Sequence, residues 1–582
     1  MILQALVKHY EDLLATGDIP TPGWENGKIS FALNLDAEGK VIDFIPMKIA
    51  KESKKKTVYV PRTMEVPQTV KRSADIKANF LCDNSTYVFG IDDKGKPDRT
   101  RLCFEAFREL HLQVLGDASS APAMAVKRFV QEWKPENAGS AEYIEQNRKE
   151  LMAGANILFF YEGKPVTEDA DVRSCWRKYF DGAGDAQDEI CMVTGKRGRL
   201  ATLHPSIKGV YGAQAMGTSL VSFNAPAFCS YGKEQGKNAP VSEYAANAYG
   251  AALNHLLNDR EHVRTIGDTT VVCWADGGEP VYQEVSICAL FGLQEEDSIT
   301  EGELTAILKA AVSGKAVEWK GELLDRDRHF YVLGVAPNAA RLSVRFFWQD
   351  SFGNMLRNIG EHYRRLEIIR PLKDPRENLS PWSLLQETVN QKSKDKTPSP
   401  QMAADTLKAI LSGGRYPATL LNGVTLRIRA DHNVTRGRAA IIKAYYLRNK
   451  NKQCSEEEGV LEVGLNEKSK NVPYNLGRLF AVLEHIQQEA NPGINATIKD
   501  KYFNSAAATP AHIFPLLINL AQKHLKKLKD EGSKITFNRR TQEILEALGE
   551  EFPARLTLPE QGSFQLGYYH QTQKRYQKKE EK

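Results

Sequence analysis

Apolar residues recur at helical spacing over the first fourteen positions. Leu3, Leu6, Val7, Tyr10, Leu13 and Leu14 fall on one face and predict an amphipathic helix. The period then drops to two. Ile29, Phe31, Leu33 and Leu35 alternate with smaller or polar residues, Ala37-Glu38-Gly39-Lys40 supplies a turn, and residues 41–45 return as the second arm of a hairpin. A second short strand pair is predicted at 80–82 and 87–89, with Asp83-Asn84-Ser85 as its turn. Helices follow at 101–115 and 122–133.

Further along, strands are predicted at 157–161, 189–193, 269–275 and 340–348, and helices at 241–257, 302–312 and 355–366. They mix without a regular βαβ beat, so the pattern is α+β rather than doubly wound. No repeat of fixed period is present. Residues 391–400 combine charge, polarity, Pro398 and Pro400 and read as a linker. Beyond it the periodicity is helical, at 402–411, 436–448, 476–488, 515–528 and 541–548, and the tail 574–582 reads as disordered. The expected architecture is an irregular multi-domain α/β N-terminal body with hairpins and long loops, followed by a C-terminal α-helical bundle. The expected boundaries are 1–135, 136–390, a linker at 391–401, and 402–582 with a module at about 460–582.

A chain of 582 residues is too long for one core, and 42% hydrophobic with 26% charged residues is the balance of a globular protein. No apolar run approaches a membrane span. Residues 1–14 carry Lys8, His9, Glu11 and Asp12 and do not read as a signal peptide, so a cytoplasmic location is expected. The eight cysteines stand singly, which fits free thiols in a reducing compartment. Net charge is only +5, so its placement matters. Residues 463–582 hold about 18 basic and about 13 acidic side chains and carry the whole excess.

Short catalytic signatures are missing. There is no phosphate loop: Gly195-Lys196 and Gly314-Lys315 lack the upstream Gly and the following hydroxyl residue. Neither H-E-x-x-H, a His-Asp pair nor G-x-S-x-G occurs. His255 and His262 read as structural histidines. No catalytic residue, metal site or cofactor is therefore assigned. The alternative is a metal-dependent, DNA-processing nuclease with a dispersed carboxylate site; Asp276, in Ala275-Asp276-Gly277-Gly278, is a poor candidate for it because that run is also an ordinary turn.

Three stretches remain. The first is basic: Lys48, Lys51, Lys54, Lys55, Lys56, Arg62, Lys71, Arg72 and Lys77, followed by Asn79, Phe80 and Asn84. Backbone-binding lysines beside a few edge-reading side chains suit duplex recognition, and a solvated loop suits the same residues. The second, 191–249, is rich in Gly, Ser and Asn with interleaved aromatics and cations; a polyanion-binding loop set and a structural loop network packed by Phe223, Phe228 and Tyr231 both fit. The third is a helix with a stripe of Leu517, Leu520, Ala521, Leu525 and Leu528 and a lysine face at Lys523, Lys526, Lys527 and Lys529, followed by Arg539 and Arg540. It is an ordinary amphipathic helix or a single-strand-binding face.

Ordered blocks in the second stretch carry a resemblance. They are Cys191-x-Val193-Thr194-Gly195, His204-Pro205-x-Ile207-Lys208-Gly209-Val210, Val221-Ser222-Phe223-Asn224-Ala225, Ser230-Tyr231-Gly232-Lys233 and Asn238-Ala239-Pro240-Val241. With residues 1–11, 80–84 and 341–348, they resemble the large-subunit family of the type I-C CRISPR Cascade. That resemblance implies a non-catalytic role in an antiviral ribonucleoprotein. Its implied partners are the guide RNA, target duplex DNA, the backbone, small and guide-processing subunits, and a helicase-nuclease recruited in trans, with no membrane. It implies recognition of a protospacer-adjacent motif (PAM) and help in opening the duplex, while base pairing reads the remaining sequence.

Carried onto this chain, Lys77, Asn79 and Asn84 are expected at base edges, and Phe80 is a wedge or a core side chain. Lys54, Lys55, Lys71 and Arg72 are expected on flanking phosphates. Lys196, Arg197, Arg199, His204, Lys208, Asn224, Tyr231 and Lys233 are expected on the guide 5′ handle or a neighbouring subunit. Lys523, Lys526, Lys527, Arg539 and Arg540 are expected on the displaced strand. The C-terminal part resembles the family's small-subunit module, whose separate product would start at Met402 or, without a Met codon, near Val460 or Val463.

Overall fold

The computed structural model describes residues 2–53, 56–70, 72, 75–182, 189–259, 262–293 and 299–576. It divides into two compact units. The first holds Leu3–Leu203 and Ala225–Ala251; the second holds His204–Asn224 and the chain from Ala252 onward.

In the first unit α1 (Ile2–Thr16) buries Leu6, Val7, Tyr10 and Leu13, as its spacing requires. Strands β1 (Trp24–Ile29), β2 (Phe31–Leu35), β3 (Val41–Pro46), β4 (Lys48–Ser53) and β5 (Lys56–Pro67) follow, then β6 (Cys82–Asn84), α2 (Ser85–Val88), α3 (Pro97–Val114) and α4 (Ala121–Glu132). Two short helices, α5 (Glu142–Gln146) and α6 (Arg148–Met152), lead to β7 (Asn156–Tyr161), β8 (Lys164–Pro165) and α7 (Ala170–Gly182). The main sheet runs β3-β2-β7-β6, with β8 on β7. The expected β2–β3 hairpin forms, but β2 also pairs in parallel with β7, from Phe31 opposite Ile157 to Leu35 opposite Tyr161. Buried between two neighbours, β2 is covered at every residue. Its turn needs Gly39, at φ +79°: a Cβ there would stand 2.8 Å from the Phe129 amide and 2.9 Å from the Ala125 carbonyl of α4.

The second strand pair expected at 80–82 and 87–89 does not form. Asn84 caps a helix instead, its side chain accepting the Thr86 N–H at 3.1 Å, so Tyr87 and Val88 lie in α2. Strand β6 pairs with β7 from beyond the turn. A second sheet, β1-β5-β4, is antiparallel throughout.

The rest of the first unit is loop-rich. Only Glu189–Ile190 (β9) remains of the strand expected at 189–193, paired with β10 (Arg197–Gly198). The chain turns tightly after Cys191: the Gly195 N–H donates to the Cys191 carbonyl at 2.8 Å, with Gly195 at φ +70°. Helix α8 (Glu243–Asn258) opens against α1, where Tyr244 donates to Glu11 at 3.1 Å.

In the second unit β11 (Ser206–Ile207), β12 (Thr218–Ser219), β13 (Arg264–Ile266) and β14 (Thr269–Ala275) join two longer strands. Helices α9 (Pro280–Phe291) and α10 (Glu301–Val312) and the hairpin β15 (Val317–Trp319) and β16 (Glu322–Leu324) precede β17 (His329–Asn338) and β18 (Arg341–Ser351). The six-stranded order is β11-β12-β18-β17-β14-β13. The helical part comprises α11 (Phe352–Leu366), α12 (Pro381–Gln386), α13 (Pro400–Ser412), α14 (Ala418–Asp431), α15 (Arg436–Asn449), α16 (Val472–Ala490), α17 (Ile498–Ala508), α18 (Pro510–Leu525), α19 (Glu531–Leu548) and α20 (Leu558–Lys574). Helix α18 begins five residues before Pro515, because Pro510 at its first turn needs no N–H partner. Helix α20 was not expected; it is buried on nearly every side, so no polar face marks it in sequence.

Two expected boundaries fall inside these units. A division at 135/136 would part β2 from β7. Residues 391–399 are irregular, as expected of a linker, yet one hydrophobic cluster continues across them, joining Leu384 and Leu385 to Met402 and Leu407. The mixed α+β class, with a strand-rich N-terminal part and a helical C-terminal region, is as expected.

Candidate nucleic-acid interface

The basic N-terminal stretch becomes a ribbon. Strands β4 and β5 pair from Lys48 opposite Pro61 to Ser53 opposite Lys56. Antiparallel register places Ile49, Val58 and Val60 on one face, and Ala50 with Tyr59 on the other. Ile49, Val58 and Tyr59 are all exposed, Tyr59 to 69%. An apolar side chain in water on each face of a basic ribbon is costly for a free surface, and it is what a strand pair inserted into a partner presents. Sequence reasoning placed cations here but passed over Ile49, Val58 and Tyr59, although the alternation across 58–60 was the signal. Lys48 is committed to Glu150. Lys54, Lys55 and Lys71 lie outside the described residues.

The turn from Lys77 to Asn84 is built on one carboxylate. Asp83 is buried, and both its oxygens are taken by the Arg72 guanidinium, with the Nη1 bond at 2.9 Å. It also accepts the N–H groups of Asn79 (2.9 Å) and Asn84 (2.8 Å). Burial works to lower the Arg72 pKa, and the Asp83 carboxylate more than reverses that, leaving it raised. Arg72 further donates to the Lys77 carbonyl at 2.6 Å and stacks 3.9 Å over the Tyr87 ring. It is an anchor of this turn, not a phosphate-holding side chain, because both edges of its fork are used inside the fold.

Phe80 is a core residue and not a wedge. It is fully buried, stacked on Trp176 at 5.1 Å with ring planes 12° apart. Leu81, at φ +58°, sends its N–H to His111 Nε2 at 2.9 Å. Nδ1 of His111 therefore carries the proton and donates to the Phe107 carbonyl at 2.7 Å; burial pushes this imidazole down to about 4. Lys77 stays exposed, 3.8 Å from Asp75. Asn79 and Asn84 are half-buried, and their side-chain oxygens accept from Val70 (3.0 Å) and Thr86. Base reading by these two amides would run through their NH2 groups.

The 191–240 set is divided between the units. In the first unit Lys196 and Arg197 are exposed on the β9–β10 hairpin, and Arg199 pairs with Glu243 at 3.2 Å. Cys191 is buried; burial raises its thiol, but hydrogen bonds from Ser242 and Thr194 outweigh that and bring it to about 7. Tyr231 is 99% exposed, and Lys233 is exposed beside it. In the second unit His204 is only 5% exposed, so it is a packed residue rather than a surface contact. Lys208 is exposed, and Asn224 accepts from Arg341 at 2.7 Å.

In the C-terminal region Lys523, Lys526 and Lys527 are exposed along the end of α18. Arg539 is exposed, 3.8 Å from Glu543. Arg540 lines a cleft of about 160 Å³ together with Lys499, His485 and Arg575. Lys499, Arg540 and Arg575 come from three separate helices or their ends, and His485, whose burial favours the neutral ring, comes from a fourth, so no linear motif announces the cleft. The segment after α20 is anchored as far as Arg575, which donates to Gln488 at 2.7 Å and Glu489 at 3.0 Å. The tail beyond residue 576 lies outside the described residues.

Residues 6–576 match the family model described as CRISPR-associated protein (Cas_Csd1). The chain belongs to that family. No curated protein matches it at the level that shows a relative. Membership makes this Csd1-family chain a CRISPR-associated effector protein, whose partners are other CRISPR-associated subunits and nucleic acid. Among the described residues, no three His, Cys, Asp or Glu side chains gather as a metal-ligand set, and no helix is long and apolar enough to cross a membrane.

Proposed function

We propose that this Csd1-family protein is the non-catalytic large subunit of a type I-C Cascade, which binds the guide 5′ handle, reads the PAM in duplex DNA and promotes opening of the duplex. It then holds the displaced strand and recruits a separate helicase-nuclease. The observation that supports this reading most directly is the β4–β5 ribbon, exposed on both faces, in a chain that matches its family over almost its whole length. A two-stranded ribbon fits a DNA groove, and Tyr59 and Ile49 supply apolar contacts to sugars, base steps or the thymine methyl. Arg72 and Asp83 hold the neighbouring turn so that Lys77, Asn79 and Asn84 keep one geometry.

The test is duplex binding by the assembled complex, with and without a matching PAM. Wild type is compared with Lys77→Ala, Asn79→Ala and Tyr59→Ser. Loss of PAM preference, with weak salt-sensitive binding retained, is expected for at least one variant. Full discrimination by all three would place motif reading elsewhere. Cutting by the purified chain, abolished by chelator and by a carboxylate substitution, would replace this reading with a nuclease.

A further inference from the structure

Tyr231 occupies a backbone position that a tyrosine should avoid. Residues Ser230–Lys233 form a tight turn, closed by the Lys233 N–H to the Ser230 carbonyl at 3.0 Å. Both central residues have positive φ, Tyr231 at +54° and Gly232 at +66°. Such turns favour Asn, Asp or Gly at the first central position, because a Cβ crowds the carbonyl there. Buried contacts often justify this strain, but Tyr231 is 99% exposed. The fold gains nothing visible from the ring.

The turn is nevertheless held firmly. Asn238 accepts the Ser230 N–H at 2.9 Å and donates to the carbonyls of Lys233 and Gln235, each at 3.0 Å. Gly236 presses on the Ala201 carbonyl so closely that a Cβ would stand 2.0 Å from it. A rigid base thus presents one aromatic ring to water, with Lys233 and Lys237 exposed on the same loop. Exposed Glu162 and Lys320 fill the same left-handed position before a glycine in two other turns, so what sets this turn apart is the aromatic ring it holds out to water.

We infer that Tyr231 is a stacking residue for one unpaired nucleobase of a single strand, whose phosphates run along Lys233 and Lys237. The rim of the turn favours nucleic acid over a protein pocket. Ser230, Gly232, Lys233, Glu234 and Gln235 are polar or lack a side chain, whereas a hydrophobic docking site surrounds its anchor with apolar side chains. A base needs only the π-face, and stacking tolerates any sequence. The inference rests on the nucleic-acid reading above, and the strand is either the guide or the displaced DNA strand.

The experiment uses the assembled complex with 5-iodouracil placed in the guide handle in one arm and in the displaced strand in the other. Photocrosslinking at residue 231 in one arm names the strand. Tyr231→Phe should keep wild-type affinity for that strand, and Tyr231→Leu should lose about tenfold. Tyr231→Gly should lose the same while raising the melting temperature, because glycine relieves the strained turn. Wild-type affinity of Tyr231→Leu in both arms, with PAM-dependent binding intact, would overturn the inference and leave the broader reading standing. Loss of a protein subunit by Tyr231→Leu without nucleic acid would overturn it in favour of protein docking. A wild-type complex that binds neither guide nor duplex would sink the broader reading, and this inference with it.

Discussion

Arg72 and Asp83 meet fork to fork at the root of the turn expected to read DNA, eleven residues apart and joined by the two terminal guanidinium nitrogens. The carboxylate also collects two backbone N–H groups, so four donors converge on it. The pair fixes where the chain re-enters the sheet at β6.

Arg72→Ala should therefore destabilise the protein by on the order of 3 kcal/mol, because it leaves a buried carboxylate without its cation. Asp83→Ala should cost more, since it also strands the Asn79 and Asn84 amides. Denaturant unfolding measures both. Arg72→Lys should not restore wild-type stability, because a lysine cannot bridge both oxygens.

Helices α16 and α20 touch backbone to backbone. A Cβ at Gly477 would stand 1.9 Å from the Phe564 carbonyl oxygen, and one at Gly567 would stand 2.0 Å from that of Tyr474. Gly477→Ala should cost at least about 3 kcal/mol despite the better helix propensity of alanine, because two backbones must move apart. Limited proteolysis should detect the opened bundle.

A product starting near residue 460 would lack α15. Gly562 of α20 lies against Tyr446 and Ile442 of that helix, where a Cβ would stand 2.7 Å from the Tyr446 ring. The 460–582 fragment alone should expose this face and self-associate on size exclusion. A 402–582 fragment, which keeps α15, should melt at a higher temperature. The reverse order would show that α15 does not stabilise the module.

Stability should fall as pH drops below about 6.5. The buried His111 titrates near 4 in the fold and near 6.5 unfolded, so between those values the unfolded chain binds more protons. Its stabilising share is complete above 6.5 and is lost as pH falls through about 4. His362 and His570, pushed down by burial to about 3, add in the same direction. In His111→Gln the amide oxygen can take the Leu81 N–H, and the loss between pH 6.5 and 4 should shrink by on the order of 3 kcal/mol. Urea titrations across that range give the slope.

Reversing Lys523, Lys526 and Lys527 together to Glu should leave stability within about 0.5 kcal/mol, since all three are exposed. Single-strand binding should weaken uniformly across sequences. The slope of log affinity against log salt should fall by about 2.

Much of the fold was legible. The 3.6-residue period located α1, α3, α4, α10, α11 and α15 within a few residues, and β14 matched its expected range of 269–275, because amphipathic or continuously apolar runs state which face is buried. The site was less so. Phe80, Arg72 and His204 carry residue types suited to nucleic acid and are used for packing or for an internal ion pair. The cations at Lys499, Arg540 and Arg575 come together only when α17, α19 and α20 pack around α16.

The chain alone determined its class, the position of its cations, the lack of short catalytic motifs and its likeness to one family, because local period, charge and ordered blocks are properties of neighbours in sequence. Only the tertiary structure decided that β2 lies beside β7, that 391–399 crosses one continuous core, and that Arg72 is consumed by Asp83. It also decided that Tyr59 and Tyr231 stand in water while Phe80 does not. Burial and pairing are made between residues far apart in sequence, and an aromatic or an arginine reads the same in a sequence whichever side of the surface it ends on.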